Sequence, residues 1–254
     1  MTDRMFKPVK IIFLAIVLLF GAAWMARAFW IRDKIAALSA PPSTAYAAAN
    51  AVLPPKGSRA RIVLIGDSRI AQWPATAVWP ETWEVINRGI GGETAVQLSL
   101  RFPADAIALD PDVIVIEGGI NDLVAASFMD EDAQRAFLND TVAILRRLAD
   151  QAAASRRRAL IATIIPPAEP DLLRLPVWRE SLRDLVTAAN AGLAKSELPG
   201  GAAVIDLASL LAPDGKTVSD IYRADTLHFN DTGYARLTAA LIERVQSVLE
   251  AKRP

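Results

Sequence analysis

Ser68 stands in Ile65-Gly66-Asp67-Ser68-Arg69, and Asp225-Thr226-Leu227-His228 holds the only histidine in the chain. These types and spacings suit nucleophilic acyl chemistry. Two residues between the carboxylate and the imidazole let one loop bring them together. The aspartate would set the ring's tautomer and orientation, leaving the other ring nitrogen for a serine hydroxyl. Each piece also has a plain structural reading. Gly-Asp-Ser is a common turn with Asp or Ser as a helix N-cap. A lone histidine is commonly a surface residue, and Asn230 or Asp231 explains the last helix start without it.

Two further segments offer donors for developing negative charge. Asn87-Arg88-Gly89-Ile90-Gly91-Gly92-Glu93-Thr94 is glycine-rich, so its backbone can approach a substrate and point an N–H at it. A dinucleotide loop fails in detail, because Thr94 stands where G-x-G-x-x-G needs its last glycine, and no Walker-type loop occurs. Gly119-Ile120-Asn121-Asp122 supplies an amide, a neutral donor suited to an oxyanion, with a turn or cap as its bland reading.

Composition removes other chemistries. Lys+Arg and Asp+Glu are balanced at 28 each, and no dense basic stripe is present, which argues against nucleic acid as a partner. Arg156, Arg157 and Arg158 read as a solvated helix end complementing the dipole. With no cysteine, disulfides, thiolate nucleophiles and Cys-based metal sites are excluded. A single histidine rules out multi-imidazole zinc sites, and no carboxylate cluster suggests magnesium or calcium.

The elements that must position these residues follow from patterning. Arg4, Lys7 and Lys10 precede an uncharged run from Ile11 to Ala26, roughly 24 Å as a helix against a ~30 Å hydrocarbon core. Extension to Trp30 closes the gap if Arg27 snorkels, and Trp24, Phe29 and Trp30 suit an interfacial belt. An uncleaved anchor is favoured over a signal peptide cut at Ala26-Arg27-Ala28. The expected organisation is residues 1–32 as anchor or signal, 33–58 as an Ala/Pro-rich linker with a short helix near Tyr46–Val52, and 59–254 as the catalytic domain. The expected location is the inner membrane with the domain periplasmic, or the periplasm after cleavage. Strands are expected at Arg61–Ile65, Glu84–Ile86, Val113–Glu117, Leu160–Ile165 and Ala203–Ile205. Helices are expected at Ala95–Leu109, Glu131–Ser155, Val177–Ser196 and Asp231–Ala251. Short strands alternating with helices indicate an α/β domain with a parallel sheet covered on both faces. The motifs follow strand ends, where open α/β sheets form their ligand crevice.

Together, Gly66-Asp67-Ser68, Gly89, Gly119-x-Asn121-Asp122 and Asp225-x-x-His228 closely resemble the conserved blocks of the GDSL/SGNH hydrolase family, from about Ile62 to Leu249. The loop from Asn87 to Gly92 is similar to the bacterial platelet-activating-factor acetylhydrolase-like branch. The resemblance implies a flavodoxin-like three-layer α/β/α fold with a five-stranded parallel sheet. It implies Ser68 as nucleophile, His228 as general base and acid, and Asp225 as orienting carboxylate. The Ser68 and Gly89 N–H groups and the Asn121 amide would form the oxyanion hole. One departure stands out: Arg69 replaces the leucine of Gly-Asp-Ser-Leu, and solvent exposure or a structural ion pair is favoured over contact with an anionic substrate.

The expected reaction is hydrolysis of acyl or acetyl esters through an acyl-enzyme, with no metal or organic cofactor. The substrate is a small-molecule, glycan or lipid ester. Rivals are an O-acyltransferase acting on envelope glycans with the same triad, and a non-catalytic, membrane-tethered binding module. Trp73, Trp79 and Trp83 are expected mainly in the core, with at most one at the substrate. Leu172, Leu173 and Leu175, beyond Pro166-Pro167, are candidates for added apolar surface, although packing is the simpler reading.

Overall fold

The computed structural model describes residues 3–172 and 174–251, with side chains from residue 12 onward. Leu173 and the ends of the chain lie outside the described residues. Five apolar runs form five parallel strands: β1 Ala60–Gly66, β2 Trp83–Gly89, β3 Val113–Glu117, β4 Arg158–Ala162 and β5 Ala202–Ile205. Their order, β2-β1-β3-β4-β5, is the flavodoxin-like arrangement, with its switch point between β1 and β3. Around them lie α1 Asp3–Ala37, α2 Ala47–Ala51, α3 Ser68–Ala71, α4 Ala95–Asp105, α5 Ile120–Ala126, α6 Glu131–Ala154, α7 Ser181–Ala194, α8 Ala208–Leu211 and α9 Asp231–Glu250.

The alternation of side chains along β1 builds two cores. Val63 and Ile65 pack with Leu98, Phe102, Leu123, Leu145 and Val186 from α4 to α7. Ile62 and Leu64 face the opposite layer, with Ile70, Tyr234, Leu237 and Leu241 from α3 and α9. Burial of each such Ile or Leu contributes about 1.5–3 kcal/mol, which makes both layers compulsory.

Several expectations shift. The helix expected over Ala95–Leu109 ends at Asp105, and a separate 3₁₀ turn follows at Ile107–Leu109. β4 ends at Ala162 rather than Ile165, because the Asn190 side chain takes both the N–H and the carbonyl of Ile164 at 2.8 Å. The helix expected from Val177 begins at Ser181, after a 3₁₀ turn at Leu175–Val177 that contains Pro176. The three consecutive arginines are not one solvated helix end. Arg156 takes a left-handed φ of 58°, Arg157 pairs with Asp110 at 2.6 Å, and Arg158 opens β4 and donates to the Ala251 carbonyl at 2.8 Å.

At the other end, α1 runs to Ala37, past residue 32, and its stretch Ile12–Ala37 is apolar enough to cross a membrane. The residues after it lie against the domain. The Tyr46 hydroxyl donates to the Gly89 carbonyl at 2.6 Å, and the Asn50 amide donates to Asp105 at 2.6 Å. Trp30 and Leu53 pack against the core beneath α4 to α7.

Candidate active site

β1 ends at Gly66, and the chain turns at once into α3. Asp67 caps that helix by accepting from Arg69 N–H at 2.9 Å, which leaves half-buried Ser68 on the first helical position. The loop before α9 is stitched into shape by its own polar groups. Asp225 Oδ1 accepts from the Leu227 and His228 N–H groups at 2.7 and 2.9 Å. An Arg223–Phe229 bridge closes the loop, and the Asn230 side chain caps α9 through Gly233 N–H at 3.0 Å.

These two local structures meet across 160 residues of sequence. Asp225 Oδ2 lies 2.8 Å from His228 Nδ1, and His228 Nε2 lies 2.9 Å from Ser68 Oγ. Burial pushes the Asp225 carboxyl up, but hydrogen bonds from His228 and from the Leu227 and His228 N–H groups outweigh it and hold the pKa below its ordinary value. An ionised Asp225 accepts from Nδ1–H, so Nε2 is the nitrogen that accepts from the serine hydroxyl. The carboxylate thus assigns the tautomer.

The two glycine-bearing loops divide their work differently from expectation. Gly89 is a packing glycine: a Cβ there would lie 2.1 Å from Ala71 N, and its N–H already donates to Asn87 Oδ1 at 2.8 Å. The structure therefore does not offer the Gly89 N–H to a substrate. Gly92, which the sequence reading did not single out, has the more open backbone. Its φ of +76° turns the loop, nothing lies near the position of a Cβ, and its N–H has no acceptor among the described residues. The next residue, Glu93, accepts at its carbonyl from Asn121 Nδ2 at 3.0 Å, so Gly92 and Asn121 are tied side by side. Asn121 keeps a second amide N–H for another acceptor. No sequence signal separates these glycines: in Gly89-Ile90-Gly91-Gly92, only the folded backbone shows that Gly92 alone takes a positive φ.

Beneath this surface lie two buried arginine clusters. Arg101 donates to Glu93 Oε1 at 2.6 Å, to Asp105 at 3.2 Å, and to the Gly66 and Arg88 carbonyls at 3.2 and 2.8 Å. Arg69, 2% exposed, approaches Glu117 at 3.5 Å and donates to the Ile165 and Leu227 carbonyls at 2.7 and 3.1 Å. Its guanidinium sits over the Phe229 ring at 5.1 Å. Arg69 is thus structural: it ties the helix that carries Ser68 to the loop between Asp225 and His228. Burial, with help from the Asp67 charge and against Arg69, pushes the Glu117 carboxyl well up.

Trp73, Trp79 and Trp83 form a ladder with centroid spacings of 5.9 and 6.5 Å, packed on the α9 side of the sheet, and Trp73 donates to Thr238 at 3.0 Å. Among the described residues no cluster of His, Asp and Glu could hold a metal ion.

A parallel α/β domain with a serine, histidine and aspartate at the carboxyl ends of its strands has the layout of a serine hydrolase. The chain belongs to the GDSL-like lipase/acylhydrolase family, whose pattern matches residues 64–236, and is therefore a hydrolase acting on esters. Solved structures share the fold. A GDSL-like lipase from Bacteroides thetaiotaomicron is 22% identical, with a TM-score of 0.62 over 80% of this chain and 96% of that one. A Streptococcus pneumonia protein described as a platelet activating factor is 17% identical, with a TM-score of 0.61 over 91% and 98%. The acetylxylan esterase Axe2 from Geobacillus stearothermophilus is 20% identical, with a TM-score of 0.51 over 78% and 98%. A comparison with curated proteins finds no match.

Proposed function

We propose that the protein is a serine esterase in which Ser68 attacks the carbonyl carbon of a carboxylic ester. As the Oγ–C bond forms, the hydroxyl proton passes to His228 Nε2, and Asp225 holds the resulting imidazolium. The oxyanion accepts hydrogen bonds from the Ser68 N–H, the free Asn121 amide N–H and the Gly92 N–H. Collapse of this intermediate breaks the ester C–O bond, and His228 protonates the departing alcohol. Water then gives a proton to His228 and attacks the acyl-enzyme, releasing the acid and restoring Ser68. The reading rests on one observation: the unbroken path from Ser68 Oγ through His228 to Asp225, at 2.9 and 2.8 Å.

Hydrolysis of p-nitrophenyl acetate by the full chain tests it. Ser68→Ala and His228→Ala should each lower turnover by about 10³-fold or more while far-ultraviolet circular dichroism stays unchanged. Wild-type turnover no faster than that of Ser68→Ala on any ester would refute it.

A second reading keeps the acyl-enzyme and replaces water with a sugar hydroxyl. The likeness to an acetylxylan esterase favours an acetylated glycan as one partner. Product analysis with added glycan acceptor separates hydrolysis from transfer. We assign α1 as an uncleaved anchor, because its apolar residues 12–26 are exposed and pack on no other part of the chain, and place the catalytic domain outside the inner membrane. Residues 1–32 remain the anchor and 59–254 the hydrolase domain in this scheme, with 33–58 as a docked connector.

A further inference from the structure

The connector between α1 and β1 is rich in Ala and Pro, the composition of a spacer. Its residues 41–50 nevertheless follow α4 from its first turn to its last. Gln97 Nε2 donates to the Pro41 carbonyl at 3.3 Å, and Asn50 Nδ2 donates to the Ala104 carbonyl at 3.3 Å and to Asp105 Oδ1 at 2.6 Å. Apolar burial does not explain this seat, because Ala47, Ala48, Ala49 and Ala51 of α2 are all exposed. What fixes the stretch is polar and directional.

Two of its side chains reach the donor loop. The Tyr46 hydroxyl donates to the Gly89 carbonyl at 2.6 Å, and the Arg88 guanidinium lies over the Tyr46 ring, 4.7 Å from its centroid. Asn50 Oδ1 accepts from Arg88 Nε at 2.8 Å while its Nδ2 donates to Asp105. That amide fits one way round only, since a flip would set its donors against the guanidinium and its oxygen against the carboxylate. From Asp105 the bonds run to Arg101 at 3.2 Å, from Arg101 to Glu93 at 2.6 Å, and from the Glu93 carbonyl to Asn121 Nδ2 at 3.0 Å. Gly92 lies between Gly89 and Glu93. Both ends of the segment that presents its N–H are therefore braced by the connector, one directly and the other through Arg101.

From this we propose that residues 41–50 frame the oxyanion side of the site, with Tyr46 and Asn50 as positioning residues for the Gly92 and Asn121 donors. This rests on the serine esterase reading above. Oxyanion donors act through where they sit before the reaction begins. Loosening the brace therefore leaves ester binding intact and weakens the transition state. The stretch of chain that leads to α1 is thus a spacer that also sets the rate.

The test measures kcat and KM of the full chain on p-nitrophenyl acetate, with a circular dichroism melt of each variant. Asn50→Ala should lower kcat about tenfold and Tyr46→Phe about threefold, with KM little changed, because misplaced donors cost transition-state binding alone. In an Asn121→Ala background, Asn50→Ala should lower kcat no more than about threefold, since part of what it positions is already gone. Lys56→Met breaks the connector's tie at the amino end of β3, Nζ to Asp112 Oδ1 at 2.9 Å, and should lower the melting temperature at wild-type kcat. Wild-type kcat in Asn50→Ala or Tyr46→Phe overturns the proposal. So does an undiminished fall on top of Asn121→Ala, or a matching fall in Lys56→Met. Failure of the esterase reading shows separately, as wild type no faster than Ser68→Ala.

Discussion

Two of the buried arginines, Arg69 and Arg101, look alike in sequence terms, yet they hold the site in different ways. Arg101 is a charge centre: it binds Glu93 and Asp105 directly and adds the carbonyls that end β1 and β2. Arg69 is a backbone clamp. Its short bonds go to the Ile165 and Leu227 carbonyls, and its nearest carboxylate oxygen is 3.5 Å away. Around Arg69, Asp67 Oδ2 and both Glu117 oxygens have no hydrogen-bond partner among heavy atoms placed at normal range. Burial and the neighbouring Asp67 charge push the Glu117 carboxyl well up, against the pull of Arg69, and burial raises Asp67 as well. One cluster balances charge by close pairing; in the other, burial works against the charged form of both carboxyls. Arg101 therefore supports the donor side of the site through Glu93 and Asn121, and Arg69 supports the serine–histidine side.

Removing the charge centre should do most damage. Arg101→Met leaves Glu93 and Asp105 buried without a counter-charge and should cost about 3–5 kcal/mol in urea unfolding. Arg69→Met removes two carbonyl contacts but strands less charge, so a loss of about 1–3 kcal/mol is expected. Its turnover should fall further than its stability suggests, because the loop carrying His228 loses its hold; kcat should drop while KM for p-nitrophenyl acetate changes little. Equal losses in the two variants would erase the distinction.

Glu117→Gln sharpens the contrast through pH. A carboxyl whose folded pKa is raised contributes stability at low pH that is lost as pH rises through that folded value. Wild type should thus lose stability toward alkaline pH, and Glu117→Gln should flatten that slope while costing under about 1 kcal/mol at neutral pH. Asp122 follows the same sign. Burial pushes its carboxyl up to about 7, although Ala95 N–H donates to it, so its contribution fades as pH rises from 4 through 7. Thermal melts of Asp122→Asn across that range should be flatter than wild type. A small effect is also expected from Tyr46→Phe, which loses one part-buried hydrogen bond to the Gly89 carbonyl and about 0.5 kcal/mol.

Much of the fold was legible because its elements differ in period and polarity. β3 matches its expected bounds, and α6 and α9 differ from theirs by one residue at the C-terminus, since amphipathic runs begin at the cap residues Asp130 and Asn230. α5 was invisible: all seven residues are buried, so no polar face marks its period. In the site, Ser68, Asp225 and His228 could be named from type and order, and the structure brings them together. Gly89 and Gly92 could not be told apart, because glycine's two uses, close packing and positive φ, leave the same letter in the sequence.

The chain's own chemistry decided which residues can react: one histidine, no cysteine, and an Asp-x-x-His pair that folds back on itself through two backbone N–H groups. Local contacts suffice for that, since the residues involved are neighbours. Which glycine keeps an open N–H depends on the packing of Gly89 against Ala71, and the place of Arg69 beside Ser68 depends on carbonyls 96 and 158 residues away. Only the folded parallel sheet brings those segments into contact, because burial of both its faces leaves the loops at its carboxyl edge a single common place to meet.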